Sequence, residues 1–200
     1  MKSNFKAHPW HGISIGDLAP KQVTVFIEIV PTDTVKYEID KTSGYLKIDR
    51  PHQYSNVLPA LYGFIPQTYC GEQIARLATE RSGKVITMGD GDPLDICVLT
   101  EREITHGDII LQAIPIGGFR LIDKGEADDK IIAILKGDAM YEQYTELGQL
   151  PESVVKRLRH YFLTYKNLPD EPPVMELANI YGQAEAWDVI RTSIADYKLM

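Results

Sequence analysis

Residues 89–95 read Gly-Asp-Gly-Asp-Pro-Leu-Asp, which places three carboxylates within six positions of the chain. The segment leads into residues 94–100, whose apolar and β-branched side chains predict a strand with Asp90, Asp92 and Asp95 at its mouth. Carboxylates this close raise one another's pKa or require cations, so a fold keeps them together where solvent or metal neutralises them. Ligand sets made only of oxygen favour magnesium, manganese or calcium.

Two other interpretations of this segment stay open on its own residues. The first is a solvated hairpin turn, which glycine, aspartate and proline commonly form. The second is a calcium loop of the EF-hand type, in which Asp90, Asp92 and Glu101 would take the first, third and twelfth positions. The calcium loop fits poorly, because Leu94 stands where an oxygen ligand is needed and Asp95 stands where glycine is needed.

The rest of the chain alternates short strand-like stretches with turn signals, and helical periodicity appears late. Apolar residues recur at spacings of three and four over 154–165, after Pro151, and again over 184–194. A short helix is also expected between residues 71 and 83. This pattern predicts a small antiparallel β-barrel with helices packed outside it. The predicted strands cover residues 23–29, 35–40, 45–48, 85–88, 94–100, 109–115, 119–122 and 130–135.

Composition and charge argue against several classes of function. Of the 200 residues, 44% are hydrophobic and 24% charged, which is typical of one globular domain. The formal net charge of −7 disfavours nucleic acid as a partner, although metal cations could still hold a polyanion on an acidic protein. The sequence shows no apolar run of about 18 residues and no apolar signal core near its N-terminus, so we expect a cytoplasmic protein with no membrane partner.

Two further charged segments could join the first one in a barrel. Residues 123–130 form a second acidic cluster between two predicted strands, and alone this cluster would be an ordinary turn. In the predicted strand over 35–40, strand alternation places Lys36 and Glu38 on one face. Considered alone, that pair is typical of an exposed cross-strand ion pair.

In combination, these segments resemble the family I soluble inorganic pyrophosphatases of bacterial type, over about residues 28–166. Besides the acidic segment, the ordered matches are Lys36-Tyr37-Glu38, Arg50, Tyr62-Gly63, Asp123 with Asp128 and Lys130, and Tyr165-Lys166. The resemblance implies an OB-like five-stranded antiparallel β-barrel flanked by helices. It implies one domain over residues 1–200, with an N-terminal arm over 1–20 and an insertion over 66–84. The implied reaction is hydrolysis of pyrophosphate to two phosphates with Mg²⁺, for which Mn²⁺ could substitute.

The resemblance also implies a role for each matching residue. Asp92 would be the general base that takes the proton of the attacking water, with Glu28 as a supporting carboxylate. The metals would be held by Asp90, Asp95, Asp128, Asp123 and Glu38, and the phosphates by Lys36, Arg50, Tyr62, Lys130, Tyr165 and Lys166. Seven carboxylates in this set outnumber four cations, so without metal the site would repel pyrophosphate. For Tyr62 and Tyr165, core packing is the competing interpretation.

The chain departs from the family pattern, and two other functions stay open. Bacterial members commonly have a tyrosine where this chain has Leu58, so one phenol donor near the phosphates is missing or comes from elsewhere in the chain. The insertion over 66–84 could alter subunit contacts in the implied homo-oligomer, which is a hexamer in bacterial members. A nucleotide phosphohydrolase would need an apolar or aromatic shelf, whereas the assigned residues are nearly all charged. A barrel that only binds oligonucleotides is disfavoured by the net charge.

Overall fold

The computed structural model describes residues 6–52, 54–168 and 170–200, and within them the chain forms nine strands and three α-helices. Residues 1–5 of the expected N-terminal arm lie outside the described residues, and residues 6–20 contain no strand or helix. The strands are β1 Val23–Ile29, β2 Val35–Ile39, β3 Leu46–Pro51, β4 Leu61–Phe64, β5 Met88–Gly89, β6 Asp95–Leu99, β7 Ile109–Asp123, β8 Glu126–Leu135 and β9 Met175–Gly182. The helices are α1 Glu72–Ser82, α2 Glu152–Thr164 and α3 Gln183–Tyr197.

Five of the strands close into a barrel. The pairs β1–β4, β4–β6, β7–β8 and β1–β7 are antiparallel, whereas β6 and β8 run parallel. The OB-like five-stranded barrel is therefore confirmed, with one parallel pairing where a wholly antiparallel barrel was expected. The parallel register sets Asp95 of β6 beside Lys130 of β8.

Strand β7 corrects the prediction of two separate strands over 109–115 and 119–122. It is one strand of 15 residues with an irregularity between Pro115 and Gly117. Its first half pairs with β1 and its second half with β9, so a single strand bridges two neighbours. The glycines that predict a turn serve close packing instead, because a Cβ at Gly118 would lie 2.5 Å from the ring of Tyr181.

Other strands also differ from the prediction: β3 extends to Pro51 instead of residue 48, and β8 begins at Glu126 instead of residue 130. Strands β4 and β9 were not predicted, since β4 has only four residues including a glycine, and β9 carries Glu176 and Asn179 among its apolar residues. The strand predicted over 85–88 is reduced to Met88–Gly89, which pairs with β8. Val85 is 87% exposed and lies outside any strand.

The predicted helices are confirmed, and α2 buries the face expected from its apolar spacing. In α3 the buried face is shifted, because Ala186, Val189 and Ile190 are buried while the expected Ala184 is exposed. Helix α2 buries Leu158, Tyr161 and Phe162 in one cluster with the barrel, and α3 packs against both α1 and β7. The Asp196 carboxylate near the end of α3 accepts backbone N–H bonds at the start of α1, from Gly71 at 2.9 Å and Ile74 at 3.0 Å. No helix formed by the described residues combines the length and apolarity needed to cross a bilayer.

A two-stranded hairpin of β2 and β3 lies outside the main sheet. Its register sets Lys36 opposite Arg50 and Glu38 opposite Lys47, so charged side chains of both strands share one region. Contacts between β1 and β2 hold the hairpin against the barrel. The fold thereby brings the hairpin charges to the same place as the acidic segment over 89–95.

Candidate active site

The acidic segment over 89–95, called here the acid loop, is held in place by the chain around Cys70. The Cys70 N–H donates to the Asp92 carbonyl at 2.9 Å, and the Gly91 N–H donates to the Cys70 carbonyl at 3.1 Å. Only glycine fits at position 89, since a Cβ there would lie 2.2 Å from the Cys70 carbonyl oxygen. Within the loop, the Asp92 N–H donates to the Asp90 carboxylate at 3.0 Å. This backbone network fixes where the three carboxylates of the loop point.

Asp90 and Asp95 of the acid loop meet Asp128 of β8. One carboxylate oxygen of each lies within 4.8 Å of the others, the arrangement that a metal ion could bridge. Lys130 extends from β8 into this group and forms ion pairs with Asp95 and Asp128. The Tyr62 hydroxyl donates to Asp95 at 2.6 Å. The parallel pairing of β6 and β8 is thus what assembles the cluster.

Negative charge in this cluster is only partly neutralised by the protein. Burial raises the pKa of Asp90 well above its usual range, and neighbouring Asp128 raises it further. Burial also raises the pKa of Asp95, although Lys130 opposes this shift. Burial alone would lower the pKa of Lys130, but Asp128 and Asp95 reverse that effect and raise it well above its usual range. Three crowded carboxylates around one lysine fit a site that receives a hard divalent cation.

Glu28, the predicted supporting carboxylate, is a fourth carboxylate at this site and is buried. It is 6% exposed, and its Oε1 accepts the Ile39 N–H at 2.7 Å. Burial, followed by the neighbouring Asp95, raises the pKa of Glu28 from 4.5 to about 8. The folded protein therefore binds a proton at Glu28 over a pH range where the unfolded chain has released it.

The substitution Glu28→Gln is expected to stabilise the metal-free protein in a pH-dependent way. Because the folded pKa lies above the ordinary value, the free energy of unfolding falls as pH rises from 4.5 to about 8. Glutamine keeps an acceptor for Ile39 and removes this penalty, a gain on the order of a few kcal/mol near pH 8.5 that vanishes near pH 4.5. Urea unfolding in chelator at both pH values measures it. The exposed control Glu72→Gln should change neither value, and an equal effect of Glu28→Gln at both pH values would contradict the assignment.

Asp92 lies apart from the three-aspartate cluster, at the mouth of the site. Its side chain is 44% exposed and forms an ion pair with Lys41, which is 47% exposed. Lys41 also lies 3.3 Å from the Gly91 carbonyl oxygen. The sequence did not single out Lys41, because its pairing with Asp92 depends on where the β2–β3 hairpin meets the acid loop. Among the described residues, Asp92 is not part of the group whose carboxylate oxygens lie within 4.8 Å of one another.

A cavity of about 290 Å³ beside the aspartates is lined mainly by cationic and phenolic side chains. It contains the predicted Lys36, Arg50, Tyr62, Tyr165 and Lys166, and also Lys124, His52 and Tyr161, which were not predicted as site residues. We call it the cationic cavity. Its wall also includes Ile29, Phe162 and Val174, so the expectation of an almost wholly charged pocket is wrong. The apolar part comes from β1 and α2, which the sequence could not place here.

Carboxylates hold the cations of this cavity in position. Lys36 lies 3.0 Å from Asp49 and 3.3 Å from Glu38, and Asp49 also pairs with Arg50. Lys166 pairs with Asp123 at 2.7 Å. The sequence did not identify Asp49 as a site residue, because its contact with Lys36 depends on the register of the hairpin.

A second, smaller cavity of about 60 Å³ adjoins the first and shares Lys36 and Tyr62 with it. Its wall carries Glu28, Glu38, Asp92 and Asp95 together with Lys41. All thirteen residues predicted for the site therefore lie in one of the two cavities, in the aspartate cluster or in an ion pair with a cavity residue. The site divides into an anionic part suited to metal and a cationic part suited to an anion.

Comparisons with known proteins agree with this geometry. The family described as "Inorganic pyrophosphatase" matches residues 25–198 of this chain. Inorganic pyrophosphatases of Chlamydia caviae and Chlamydia muridarum are 49% and 48% identical over 195 residues, which is 95% of this chain and 90% and 93% of theirs. The crystal structure of inorganic pyrophosphatase from Thermus thermophilus superposes with a TM-score of 0.79 at 27% identity, covering 96% of this chain and 99% of that one.

Proposed function

The chain belongs to the inorganic pyrophosphatase family, and on this premise we propose which of its residues carry out the reaction. The chain hydrolyses inorganic pyrophosphate to two phosphates. The observation that best supports this function is the aspartate cluster of Asp90, Asp95 and Asp128 directly beside a cavity lined by four Lys and Arg side chains. Phosphoryl transfer needs positive charge around the phosphate oxygens and a positioned nucleophile, and little covalent work by the protein.

The family implies a divalent metal, and we assign Mg²⁺ to this role with Mn²⁺ as a substitute. The proposed ligands are Asp90, Asp95 and Asp128, with Asp123 and Glu38 completing the set. Their donors are all carboxylate oxygens, which hard cations prefer, and two of them have raised pKa values that a nearby cation would relieve. Bound there, the metal supplies Lewis-acid activation of water and neutralises charge on the phosphate oxygens.

Asp92 is the proposed general base. Its carboxylate is solvent-accessible and stands outside the aspartate cluster, so it is free to accept the proton of the attacking water. Lys41 holds this carboxylate at the mouth of the site, between the acid loop and the hairpin. Glu28, buried behind the smaller cavity, supports the arrangement through its bond to the Ile39 N–H.

The phosphate groups are assigned to the cationic cavity. Charged hydrogen bonds from guanidinium and ammonium groups to phosphate oxygens are roughly twice as strong as neutral ones. Tyr165 adds a phenol donor without adding charge, and Tyr62 would donate to phosphate by giving up its bond to Asp95. The proposed phosphate-binding residues are Lys36, Arg50, Tyr62, Tyr165 and Lys166 of the cavity wall, together with Lys130, which lies outside that wall beside Asp95 and Asp128.

Arg50→Ala is expected to weaken substrate binding and leave the fold intact. Arg50 lines the cationic cavity, and loss of its charge-assisted bonds corresponds to about a 10- to 100-fold rise in KM for pyrophosphate. Arg102→Ala is a matched control, since Arg102 also pairs with the acid that precedes it in the chain but lies outside both cavities. Initial rates of phosphate release over a range of pyrophosphate concentrations measure both. Unchanged KM and kcat in Arg50→Ala would remove Arg50 from the phosphate clamp.

We also propose a homo-oligomer, with a hexamer favoured, and a cytoplasmic location. Large apolar side chains stand exposed on strands of the main sheet, including Ile110 at 56% and Ile180 at 46%. Both cysteines, Cys70 and Cys97, are buried free thiols, which suits a reducing compartment. Light scattering of the purified protein tests the assembly, and the mass of a single 22.5 kDa chain would overturn it. Cell fractionation tests the location, which recovery outside the cytosolic fraction would contradict.

A further inference from the structure

Tyr161 lines the cationic cavity, although its apolar helical spacing predicts only a core residue. It lies on α2 one turn before Tyr165, and the two rings are stacked with centroids 5.1 Å apart and planes only 13° apart. Both side chains line the cationic cavity together with Lys36, Arg50 and Lys166. The two phenols therefore stand side by side along one wall of the cavity assigned to phosphate.

The hydroxyl of Tyr161 is left without a protein partner. The residue is only 7% exposed, yet within the described residues its hydroxyl forms no hydrogen bond. Among the described residues the other buried tyrosine is Tyr181, which is 5% exposed and donates its hydroxyl to Asp129 at 2.8 Å. The ring is buried, but the hydroxyl is not one of the fully buried atoms that lack a partner, so it opens onto the cavity, where a bound ligand can accept its hydrogen bond.

The surroundings of this hydroxyl keep it a neutral donor. Burial raises the pKa of Tyr161, Tyr165 raises it further, and Arg50 and Lys130 oppose the shift. A neutral phenol can donate to a phosphate oxygen without adding to the cationic charge of the cavity. Phenylalanine would fill the same place in the core between Phe162 and Tyr165, so packing alone does not require the oxygen.

We propose that Tyr161 is a phosphate-binding residue of this enzyme, whose hydroxyl donates a hydrogen bond to an oxygen of pyrophosphate or of product phosphate in the cationic cavity. The inference rests on the proposed function, because it takes the cationic cavity as the phosphate site. It extends the set of phenol donors at the C-terminal end of α2 from the C-cap residue Tyr165 to its neighbour one turn earlier.

The substitution Tyr161→Phe tests the proposal, because it removes the oxygen and keeps the ring. We expect KM for pyrophosphate to rise about three- to tenfold, the range of one neutral hydrogen bond, with kcat within about twofold of the wild-type value. The dissociation constant for inorganic phosphate, measured by calorimetry on the same protein, should rise by a similar factor. The temperature of unfolding should not fall, since the hydroxyl has no protein partner to lose.

Tyr144→Phe is the matched control. Tyr144 packs against the same apolar cluster as Tyr161 but does not line the cationic cavity, so its KM and phosphate affinity should equal those of the wild type. Unchanged KM and unchanged phosphate affinity in Tyr161→Phe would overturn the proposal and leave Tyr161 a packing residue. Failure of the proposed function itself would look different, because the wild-type protein would then release no phosphate, while the calorimetric comparison would still decide the role of Tyr161.

Discussion

The substitution Asp92→Asn is expected to lower kcat for pyrophosphate at least about a hundredfold, because asparagine cannot accept the proton of the attacking water. The change is nearly isosteric, and the backbone bond from the Cys70 N–H to the Asp92 carbonyl does not involve the side chain. The acid loop should therefore keep its shape. Since Asp92 stands outside the aspartate cluster, affinity for magnesium and pyrophosphate should stay close to that of the wild type. Phosphate-release kinetics measure kcat, and calorimetry with magnesium measures metal binding.

Asp108→Asn provides the matched control for this experiment. Asp108 resembles Asp92 in exposure and in having a single lysine partner, Lys6 at 2.9 Å, but it lies in neither of the two cavities. Its substitution should leave kcat unchanged. Near-normal turnover by Asp92→Asn would show that another group accepts the proton, and lost metal binding would place Asp92 among the ligands.

The second large effect is expected from Lys130→Met in the metal-free protein. Lys130 is 3% exposed and pairs with both Asp95 and Asp128, so its removal leaves buried carboxylates without their cation. Breaking a buried ion pair from one side commonly costs about 3–5 kcal/mol of the free energy of unfolding. Urea unfolding in chelator near pH 8 measures the loss. Saturating magnesium should recover part of it, because the cation takes over the neutralising charge.

Lys84→Met serves as the reference for an exposed pair. Lys84 pairs with Glu176 at the surface, where ion pairs contribute about 0–1 kcal/mol, so its substitution should have little effect on unfolding. If Lys130→Met were as mild as Lys84→Met, the view of the aspartate cluster as an excess of buried negative charge would be wrong. If the loss were unaffected by magnesium, the cluster would not be the metal site.

Local pattern predicts much of this fold, and the failures have a common origin. Helices α2 and α3 can be predicted from the spacing of their apolar residues. Strands β1 and β6 can be predicted from their runs of β-branched residues. Strand β9 and the short strand β4 form because they pair with strands distant in sequence, so their own residues predict a strand only weakly. Gly117 and Gly118 give a wrong turn prediction for the same reason. They are required by close contact with Tyr181 on β9, and no turn is formed there.

The candidate site shows the same division. Its thirteen predicted residues could be chosen because charged groups in an ordered pattern resemble those of a known family, and the structure brings them together. No such pattern marks Lys41, Asp49 or Tyr161. They can be recognised as site residues only from the contacts among the hairpin, the acid loop and α2. The roles assigned to the thirteen residues, and the division of the chain into one domain with an insertion over 66–84, stay predictions.

The separation of the site into anionic and cationic parts explains why metal and substrate are expected to act together. The aspartate cluster has more buried negative charge than Lys130 neutralises, while the adjoining cavity has cations ready for an anion. Lys36 and Tyr62 border both cavities and so mark the place where the two meet. An anion in the cationic cavity would lie next to a metal held by the aspartates.

The most direct test of this account is phosphate release from pyrophosphate by the purified full-length protein, with and without magnesium, and with ATP as a parallel substrate. We expect rapid release from pyrophosphate that depends on magnesium, and little release from ATP. The apolar residues in the wall of the cationic cavity make the ATP comparison informative, since a nucleotide enzyme would use them as a shelf. No release with any divalent metal, or equal release from ATP, would contradict the account.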